Sequence, residues 1–383
     1  MVSLRGARRV EGGHPWIFRS DVAERPTTPA GIVKVRTVRG NALGWALWSP
    51  LSEISLRMIE RDDEQEPDAE WWHRKIGQAI RRRSSIGSNT TGYRLIHGEG
   101  DGLPSLVVDR YGDILVAQIL SAGVDVWTQE IVDALVELTG CTGVLARNDP
   151  AARAREGLPR EVRPLFGDVP RTVEFLEDGL RFLAAPWDGQ KTGAFVDQRD
   201  NRMLIGSMAR GDALDCFAYH GSFAMHMARR ANTVTAVDVS APALARVAEH
   251  ARMNGFTNVE SHEADVFDAL RDWQREGRRF DTIVVDPPAF AKTKGALEGA
   301  IRGYKDINLQ AMKLLARGGV LLTASCSFHL SRALFLDMLQ DAARDSERSL
   351  VLRAIMAQPV DHPELLTVPE TGYLKAALIE ARD

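Results

Sequence analysis

Two residues of this sequence, Asp286 and Cys326, have the types and settings that catalysis requires. Asp286 ends an apolar run and precedes two prolines, which fix a rigid, non-helical loop whose carbonyls and nearby Phe290 suit a planar base. Cys326 lies just after a second apolar run, 320–325. If the two runs form neighbouring strands, the thiol and the carboxylate lie about 5 Å apart at one sheet edge. The pair predicts a thiolate nucleophile next to a carboxylate that binds a base.

A second group of residues predicts a nucleoside-binding site. Asp215 and Gly221 follow one apolar run, and Asp238 ends the next, 17 residues after Gly221. A carboxylate at this spacing suits ribose hydroxyls, and the glycine lets the backbone approach a ligand, unless Gly221 is only a turn and Asp238 a helix-proximal cap. Asp265, which is expected to close a third strand, suits the adenine amino group unless it is merely solvated. The absence of a GxGxxG phosphate loop from the sequence weighs against NAD and favours S-adenosylmethionine.

The remaining cysteines and the composition restrict the class of protein. Three cysteines in 383 residues are too few and too scattered for a disulfide framework or a zinc site, and no metal is predicted. Cys141 and Cys216 lie in apolar stretches and are interpreted as core residues. The sequence has no run of about eighteen apolar residues and no secretory signal. We therefore expect a soluble, cytoplasmic protein.

Alternating strands and helices from about residue 187 must position the chemical residues. The hydrophobic pattern predicts these elements in turn at 213–217, 222–230, 234–238, 242–254, 282–286, 308–316 and 320–325. Such alternation predicts an α/β fold with a parallel sheet and helices on both faces. In folds of this class, ligands bind beyond the carboxyl ends of the strands. The four acids and Cys326 are expected at those ends.

The chain before residue 187 has a different pattern. The stretch 31–38 alternates apolar with polar or basic side chains, 42–48 is apolar and 54–60 continues the pattern, which predicts a small β module. Residues 1–61 carry ten basic and five acidic residues, a net charge of +5 that leaves −9 for the rest. The acid run 62–70 predicts a domain boundary. The stretch 71–185 is typical of a mixed α+β domain and ends in a hairpin that turns on Asp178 and Gly179. The basic excess favours a polyanion such as nucleic acid, although a merely solvated face explains it equally well.

Several motifs of the sequence are distinctive when taken together. They are Gly13-His14-Pro15-Trp16-Ile17-Phe18, the stretch Asp101 to Gly112, the string Lys191 to Arg202, Asp286-Pro287-Pro288 and Ser325-Cys326-Ser327. With these motifs the chain resembles the RlmI-like family of S-adenosylmethionine-dependent methyltransferases, which form 5-methylcytosine in large-subunit (23S) ribosomal RNA. The resemblance implies a PUA RNA-binding domain, β-barrel-like, at residues 1–70, a central α+β domain at 71–185, and a class I (Rossmann-like) methyltransferase domain at 186–383.

The resemblance also implies roles for individual residues. It assigns catalysis to Cys326 and Asp286. It assigns cofactor binding to Gln198, Asp215, Gly221, Asp238, Asp265 and Asp286. In the implied reaction the Cys326 thiolate adds to carbon 6 of a flipped or single-stranded cytosine, and Asp286 bonds the base edge near nitrogen 3. Two departures concern His220 and Ser222, which replace an expected Thr and Gly, and the lack of a cysteine beside the two prolines. The group that removes the carbon-5 proton stays unassigned.

Three other functions remain open from the sequence. One is methylation of guanine nitrogen 7 or of an exocyclic amine, with Phe290 stacking on the base and Cys326 inert. Another is a nucleotide-dependent oxidoreductase, which the missing phosphate loop opposes, and the third is an RNA-binding protein without catalysis. The expected partner is large-subunit ribosomal RNA and not a membrane, and a homodimer is left open. The sequence does not identify the target nucleotide.

Overall fold

The computed structural model describes residues 1–61, 64–290 and 294–383. These residues form two compact units: the first comprises Met1–Gly179, Leu183–Asp197 and Val360–Gly372, and the second comprises Leu180–Phe182, Gln198–Pro359 and Tyr373–Asp383. Asp62 and Asp63, which begin the predicted acidic boundary, lie outside the described residues. The domain borders at residues 70 and 185 stay predictions. None of the helices in the described ranges is long and apolar enough to cross a membrane.

The helices and strands follow in chain order. The α-helices of the described residues are α1 (Leu4–Glu11), α2 (Ala69–Arg82), α3 (Ala122–Asp125), α4 (Thr128–Thr139), α5 (Ala152–Arg155), α6 (Arg199–Met208), α7 (Ser222–Ala228), α8 (Ala241–Met253), α9 (Val266–Arg275), α10 (Leu297–Leu314) and α11 (Arg332–Ser346). The strands are β1 (Trp16–Ile17), β2 (Gly31–Arg36), β3 (Ala42–Trp48), β4 (Leu56–Glu60), β5 (Gly92–His97), β6 (Leu106–Tyr111), β7 (Ile114–Ile119), β8 (Gly143–Asn148), β9 (Glu161–Gly167), β10 (Val173–Glu177), β11 (Leu180–Ala184), β12 (Asp212–Cys216), β13 (Thr233–Asp238), β14 (Val259–Glu263), β15 (Phe280–Val285), β16 (Leu315–Ser325), β17 (Leu350–Met356) and β18 (Lys375–Ala381).

The first unit begins with an antiparallel sheet of strand order β1-β4-β3-β2, as the alternating pattern predicted. Helix α1 precedes it and was not predicted. Ser3 caps this helix by accepting a hydrogen bond from the Gly6 N–H. Two of the basic side chains, Arg5 and Arg9, pair with the buried carboxylate of Asp21. Part of the positive charge of residues 1–61 is therefore paired with a carboxylate of the same segment.

A second sheet of the first unit has the strand order β5-β6-β7-β8-β9. Its pairs are antiparallel except for β7 and β8, which are parallel. Helices α2 and α4 contribute the buried side chains of Trp72, Ile76 and Leu135 to the core of this part. The predicted hairpin is confirmed: β10 and β11 flank Asp178 and Gly179, whose φ angles are 50° and 75°.

The second unit is built on a seven-stranded sheet of order β14-β13-β12-β15-β16-β18-β17. The five strands from β14 to β16 are parallel, as predicted. The last two strands, β17 and β18, were not predicted, and β18 runs antiparallel to both β16 and β17. Antiparallel strands need no crossover helix, so the chain after α11 lacks the alternating pattern on which the prediction rested.

The core of the second unit fixes the positions of the strand ends. Helices α9, α10 and α11 bury Leu270, Tyr304 and Phe335 against Ile283 and Leu321 of the central strands. The helix predicted at 308–316 is only the end of α10, which begins at Leu297. Because such cores are close-packed, the loops that leave the strands start from well-defined points.

Candidate active site

Four of the predicted functional residues, Asp215, Asp238, Asp286 and Cys326, lie at the carboxyl ends of strands of the second unit. Strand β12 lies between β13 and β15, and β15 pairs in parallel with β16, with Val285 opposite Thr323. The assumption that the strands before Asp286 and Cys326 are neighbours is thus confirmed. In a sheet of this topology the crevice beside the strand at which the order reverses, here β12, is where ligands bind.

The loop that follows β12 has an unusual backbone. Phe217, Tyr219 and Gly221 have φ angles of 62°, 48° and 74°. Such conformations cost a residue other than glycine roughly 1–3 kcal/mol, and they cluster at ligand-binding segments. A Cβ at Gly221 would also lie 3.0 Å from the Val247 side chain. The position therefore requires glycine for two reasons, and the loop shape is typical of a ligand clamp.

His220, one of the departures from the family pattern, is part of this loop. Its ring stacks on that of Tyr219 with centroids 3.6 Å apart, and its carbonyl accepts a hydrogen bond from His250 Nδ1 at 2.8 Å. Burial lowers the pKa of His220 to about 3 and that of His250 to about 4. Both rings are therefore neutral at neutral pH, and neither opposes a cationic ligand.

Asp238 stabilises the same loop. Its Oδ2 accepts the Tyr219 N–H and its Oδ1 accepts the Ser240 N–H, both at 2.9 Å. The N-cap of α8 is Ser240 itself, and Asp238 bonds the backbone just before this helix, so the alternative of a helix-proximal cap stays open. Since a carboxylate oxygen can accept more than one hydrogen bond, Asp238 retains capacity for a ligand hydroxyl.

Asp215 is the most buried of the predicted acids, with 1% of its surface exposed. Its Oδ2 accepts the Ala224 N–H at 2.9 Å. Burial, together with the negative charges of Asp286 and Asp238, raises the pKa of Asp215 to about 8. Asp215 is therefore mostly protonated at neutral pH, and a cation bound near it would favour its ionised form.

Gln198 and Asp286 are directly hydrogen-bonded. Gln198 Nε2 donates to Asp286 Oδ1 at 2.9 Å, and Asn201 Nδ2 donates to Gln198 Oε1 at 2.6 Å. Both amide side chains are buried, so this chain of bonds fixes the orientation of the Asp286 carboxyl group. The sequence analysis missed Asn201, although its spacing of three residues from Gln198 at the start of α6 is a usable signal.

Asp265 occupies a different position from the one predicted. Strand β14 ends at Glu263, and Asp265 is the exposed N-cap of α9, where its Oδ1 accepts the N–H groups of Phe267 and Asp268. The placement at a strand end is wrong, because the chain turns into the helix two residues after the strand. A role in binding adenine stays a prediction.

Phe290 packs within the protein. Its ring centroid lies 4.6 Å from that of Tyr304, 6.2 Å from Phe267 and 6.5 Å from Phe217. The side chain is half-buried and adjoins the main core of the unit. This packing does not support the prediction that Phe290 stacks on a planar base.

The three cysteines have different surroundings. Cys141 and Cys216 are buried, as predicted, whereas Cys326 is partly exposed. Burial raises the pKa of the Cys216 thiol, which disfavours its nucleophilic thiolate form. Cys326 packs at the margin of a small apolar cluster formed by Ala324, Leu374 and Ala376. Its exposure makes Cys326 the thiol of the chain that is best suited to react.

Two further side chains adjoin Cys326 and were missed by the sequence analysis. The Tyr304 hydroxyl lies 2.8 Å from Ser327 Oγ and accepts the Phe290 N–H at 3.5 Å, so it connects the loops after β15 and β16. Lys375 Nζ donates to the Ser327 carbonyl at 2.7 Å. Both residues lie in other elements of the chain than Cys326, and no sequence motif indicates that they adjoin it.

Comparison with known proteins places this arrangement in context. The family model for S-adenosylmethionine-dependent methyltransferases matches residues 94–380, and a PUA-like domain matches residues 1–61. The chain is 40% identical over 379 residues to ribosomal RNA large subunit methyltransferase I of Shewanella denitrificans, covering 96% of this chain and 95% of that protein. The Aeromonas hydrophila protein of the same name is 38% identical, with 96% of each chain covered.

Solved structures support the same fold. A putative methyltransferase dependent on S-adenosylmethionine from Streptococcus mutans has a TM-score of 0.82 at 20% identity, covering 99% of this chain and 100% of that one. Another putative methyltransferase, solved in complex with S-adenosylhomocysteine, has a TM-score of 0.84 at 21% identity and covers 99% of both chains. The predicted α/β fold with a Rossmann-like domain and an N-terminal PUA-like module is thus confirmed.

Proposed function

Since the chain belongs to the family of S-adenosylmethionine-dependent methyltransferases, we propose that it methylates carbon 5 of a cytosine in large-subunit ribosomal RNA through a covalent adduct with Cys326. One observation carries the proposal. A partly exposed thiol follows β16, and an oriented carboxyl group, Asp286, follows the neighbouring parallel strand β15. The two groups share the sheet edge at which the acids of the nucleoside crevice lie.

The crevice residues fit the donor, which carries its methyl group on a positively charged sulfur and supplies it for transfer. Asp215, Asp238 and Asp286 lie at one edge, and the neighbouring histidines are neutral. This environment suits a cationic nucleoside. We assign its binding to Gln198, Asp215, Gly221, Asp238, Asp265 and Asp286, among which Gly221 supplies the close approach of the backbone and Asp238 accepts from hydroxyl groups.

The thiol of Cys326 makes carbon 5 of cytosine nucleophilic enough to accept a methyl group. Carbon 5 of a neutral cytosine is a weak nucleophile, and addition of the Cys326 thiolate to carbon 6 forms an S–C bond and makes carbon 5 electron-rich. After carbon 5 has accepted the methyl group, loss of its proton expels the thiolate and restores the aromatic ring. The target base must be flipped or single-stranded, since the thiol cannot reach carbon 6 within a stacked pair.

Asp286 acts on the opposite edge of the base. A carboxyl group can accept from the 4-amino group of cytosine and, when protonated, donate to nitrogen 3, where negative charge develops after the thiolate has added. The bonds from Gln198 to Asp286 and from Asn201 to Gln198 hold this group in one orientation. Such preorganisation avoids reorientation during the reaction.

The nucleic acid part of the proposal rests on the first unit and on the relatives. Residues 1–61 match a PUA-like domain and carry the net charge of +5, which favours a polyanion. The relatives from Shewanella and Aeromonas are named as methyltransferases of large-subunit ribosomal RNA. We accordingly assign RNA binding to a PUA domain at 1–70, with a central domain at 71–185 and the methyltransferase domain at 186–383.

Analysis of the methylated nucleoside tests the reaction. Ribosomal RNA from cells that lack the gene is incubated with purified protein and labelled S-adenosylmethionine, then digested and separated by liquid chromatography and mass spectrometry. We expect the label in 5-methylcytidine. Label in 7-methylguanosine or N4-methylcytidine would replace carbon-5 chemistry by nitrogen methylation, a reaction that needs no covalent intermediate.

The pH dependence of donor binding tests the place of Asp215. Its pKa of about 8 in the free protein means that a cationic donor, which favours the ionised carboxylate, must displace a proton at lower pH. Affinity is therefore expected to rise from pH 6 to pH 8, by at most about tenfold per pH unit, and to level off above. Calorimetry in buffers of different ionisation enthalpy measures both the affinity and the released proton.

Two variants serve as references for this titration. Asp215→Asn keeps an acceptor for the Ala224 N–H, and its affinity should vary with pH only through the donor's own amino group. Asp212→Asn, an exposed acid at the other end of β12, should behave as the wild type. An Asp215→Asn titration that matches the wild type would remove Asp215 from the donor site.

A further inference from the structure

Lys375 is a buried cation beside the candidate nucleophile. It is the first residue of β18, opposite Ser325 of β16, and has 6% of its surface exposed. Lysine is almost never this buried without a charged partner. None of the described carboxylates forms an ion pair with Lys375, so its burial needs another explanation.

Two of the three N–H donors of the Lys375 ammonium group form hydrogen bonds. Nζ donates to the carbonyl oxygens of Ser327 and Tyr373, each at 2.7 Å. An ammonium group has three N–H donors, and the third has no acceptor in the described parts of the chain. Both acceptors are neutral, so they hold the group in place without balancing its charge.

Cys326 is the nearby group that can balance this charge. It immediately precedes Ser327, to which Lys375 is bonded, and the two side chains interact electrostatically. Leu374 and Ala376, which flank Lys375 on β18, form the apolar cluster against which Cys326 packs. A thiolate in such surroundings needs a nearby cation, because burial otherwise favours the neutral thiol.

We propose that Lys375 is a positioning residue that stabilises the thiolate of Cys326 with its ammonium group and fixes the loop after β16 through the Ser327 carbonyl. The inference rests on the proposed function, in which that thiolate attacks the base. The thiol gives its proton to solvent, and the negative charge on sulfur faces the lysine until the S–C bond forms. Lys375 itself remains charged throughout and makes no bond to the substrate.

Other ionisable groups adjoin the pair. Tyr304 reaches it from α10, Arg332 from the start of α11, and Asp286 follows the neighbouring strand β15. Burial raises the pKa of Tyr304, so its hydroxyl is neutral near pH 7 and supplies no charge. Burial lowers the pKa of Lys375 to about 8, against which the Cys326 thiolate acts. Below pH 8 the lysine is predominantly charged, in the range in which a thiolate requires it.

The titration of the Cys326 thiol tests the inference. The full-length protein is treated with iodoacetamide at pH values from 5.5 to 10, and the rate for Cys326 is followed by peptide mass spectrometry, which counts Cys141 and Cys216 separately. We expect the wild-type midpoint to lie below the usual thiol value of about 8.5. In Lys375→Met it should rise by about one pH unit or more, with alkylation at pH 7 about tenfold slower.

Further variants separate the charge of Lys375 from its packing. Lys375→Arg retains the cation and should keep the midpoint near that of the wild type, whereas Lys375→Gln retains N–H donors without charge and should shift it as methionine does. Lys313→Met removes one charge from the end of α10, away from the carboxyl edge of the sheet, and should leave the midpoint unchanged. Thermal melting identifies any variant that does not fold, and Lys375→Gln then replaces Lys375→Met.

The result that overturns the inference is a midpoint that stays the same in folded Lys375→Met or Lys375→Gln. This outcome differs from failure of the proposed function, because alkylation requires neither RNA nor the methyl donor. If Cys326→Ala kept its methylation while the lysine variants still shifted the thiol titration, the ion pair would stand and the covalent mechanism would fall. If only the mechanism held, Cys326→Ala would be inactive and the titration unaffected by Lys375.

Discussion

Replacing Cys326 with alanine is expected to lower kcat for RNA methylation by more than about 10³-fold, since removal of a covalent nucleophile eliminates the step that activates the base. Binding of S-adenosylmethionine should change little, because the thiol acts on the acceptor and not on the donor. The side chain is small and only partly buried, so the variant should fold. Single-turnover methylation and calorimetry measure the two effects separately.

Trapping of the adduct provides the second arm of this test. RNA with 5-fluorocytosine at the target position should hold the wild-type protein in a complex that resists denaturant, because fluorine cannot leave carbon 5 as the proton does. Cys141→Ala, which removes a buried thiol from the first unit, should be trapped like the wild type, and Cys326→Ala should not be trapped.

The opposite result has a definite meaning. If Cys326→Ala methylates RNA at near wild-type rates and no trapped complex forms, Cys326 is a packing residue of the cluster at Ala324. Nitrogen methylation, with Asp286 holding the base, then becomes the better account. The nucleoside analysis should agree with it by showing a product other than 5-methylcytidine.

The fold of the second unit was predictable because its signal is local. The parallel strands and the helices between them have apolar patterns that end at recognisable positions, such as Gly255 with φ 71° just after α8. The antiparallel strand β18 was not predictable in this way. Its place between β16 and β17 depends on pairing between residues such as Ser325 and Lys375, far apart in the chain, and no local pattern encodes that pairing.

The residues of the candidate site differ in the same way: some have a local signal in the sequence and others have none. Asp215, Asp238 and Asp286 could be found because strand ends in a parallel sheet meet at one edge. Tyr304 and Lys375 could not, because each reaches Ser327 from an element whose own sequence gives no reason to expect it. Phe290 is a third case: its place in the loop predicted stacking on a base, and the structure adds a contact of its ring with Tyr304 that the sequence does not indicate.

Replacing Asp286 with alanine should lower kcat by about 10²–10³-fold, the usual effect of removing one oriented group that stabilises charge in a transition state. The loss arises because nitrogen 3 of the base would have no partner as negative charge develops there. The variant also removes the acceptor of the Gln198 amide and one of the charges that raise the pKa of Asp215. The pKa of Asp215 should therefore fall, and donor binding should become less dependent on pH between 6 and 8.

Asp286→Asn refines this prediction, since asparagine keeps an acceptor for Gln198 and a donor for the base but cannot exchange a proton. We expect its kcat to fall between those of Asp286→Ala and the wild type, while Asp337→Ala, which alters an exposed acid of α11, should match the wild type.

The comparison of kcat with KM for the donor then assigns the role of Asp286. Losses confined to kcat mean that Asp286 acts on the base during the reaction, because uniform binding would appear in KM. A raised KM for S-adenosylmethionine with unchanged kcat would instead limit Asp286 to holding the donor, and the base would need a different hydrogen-bonding partner at the carboxyl edge of β15.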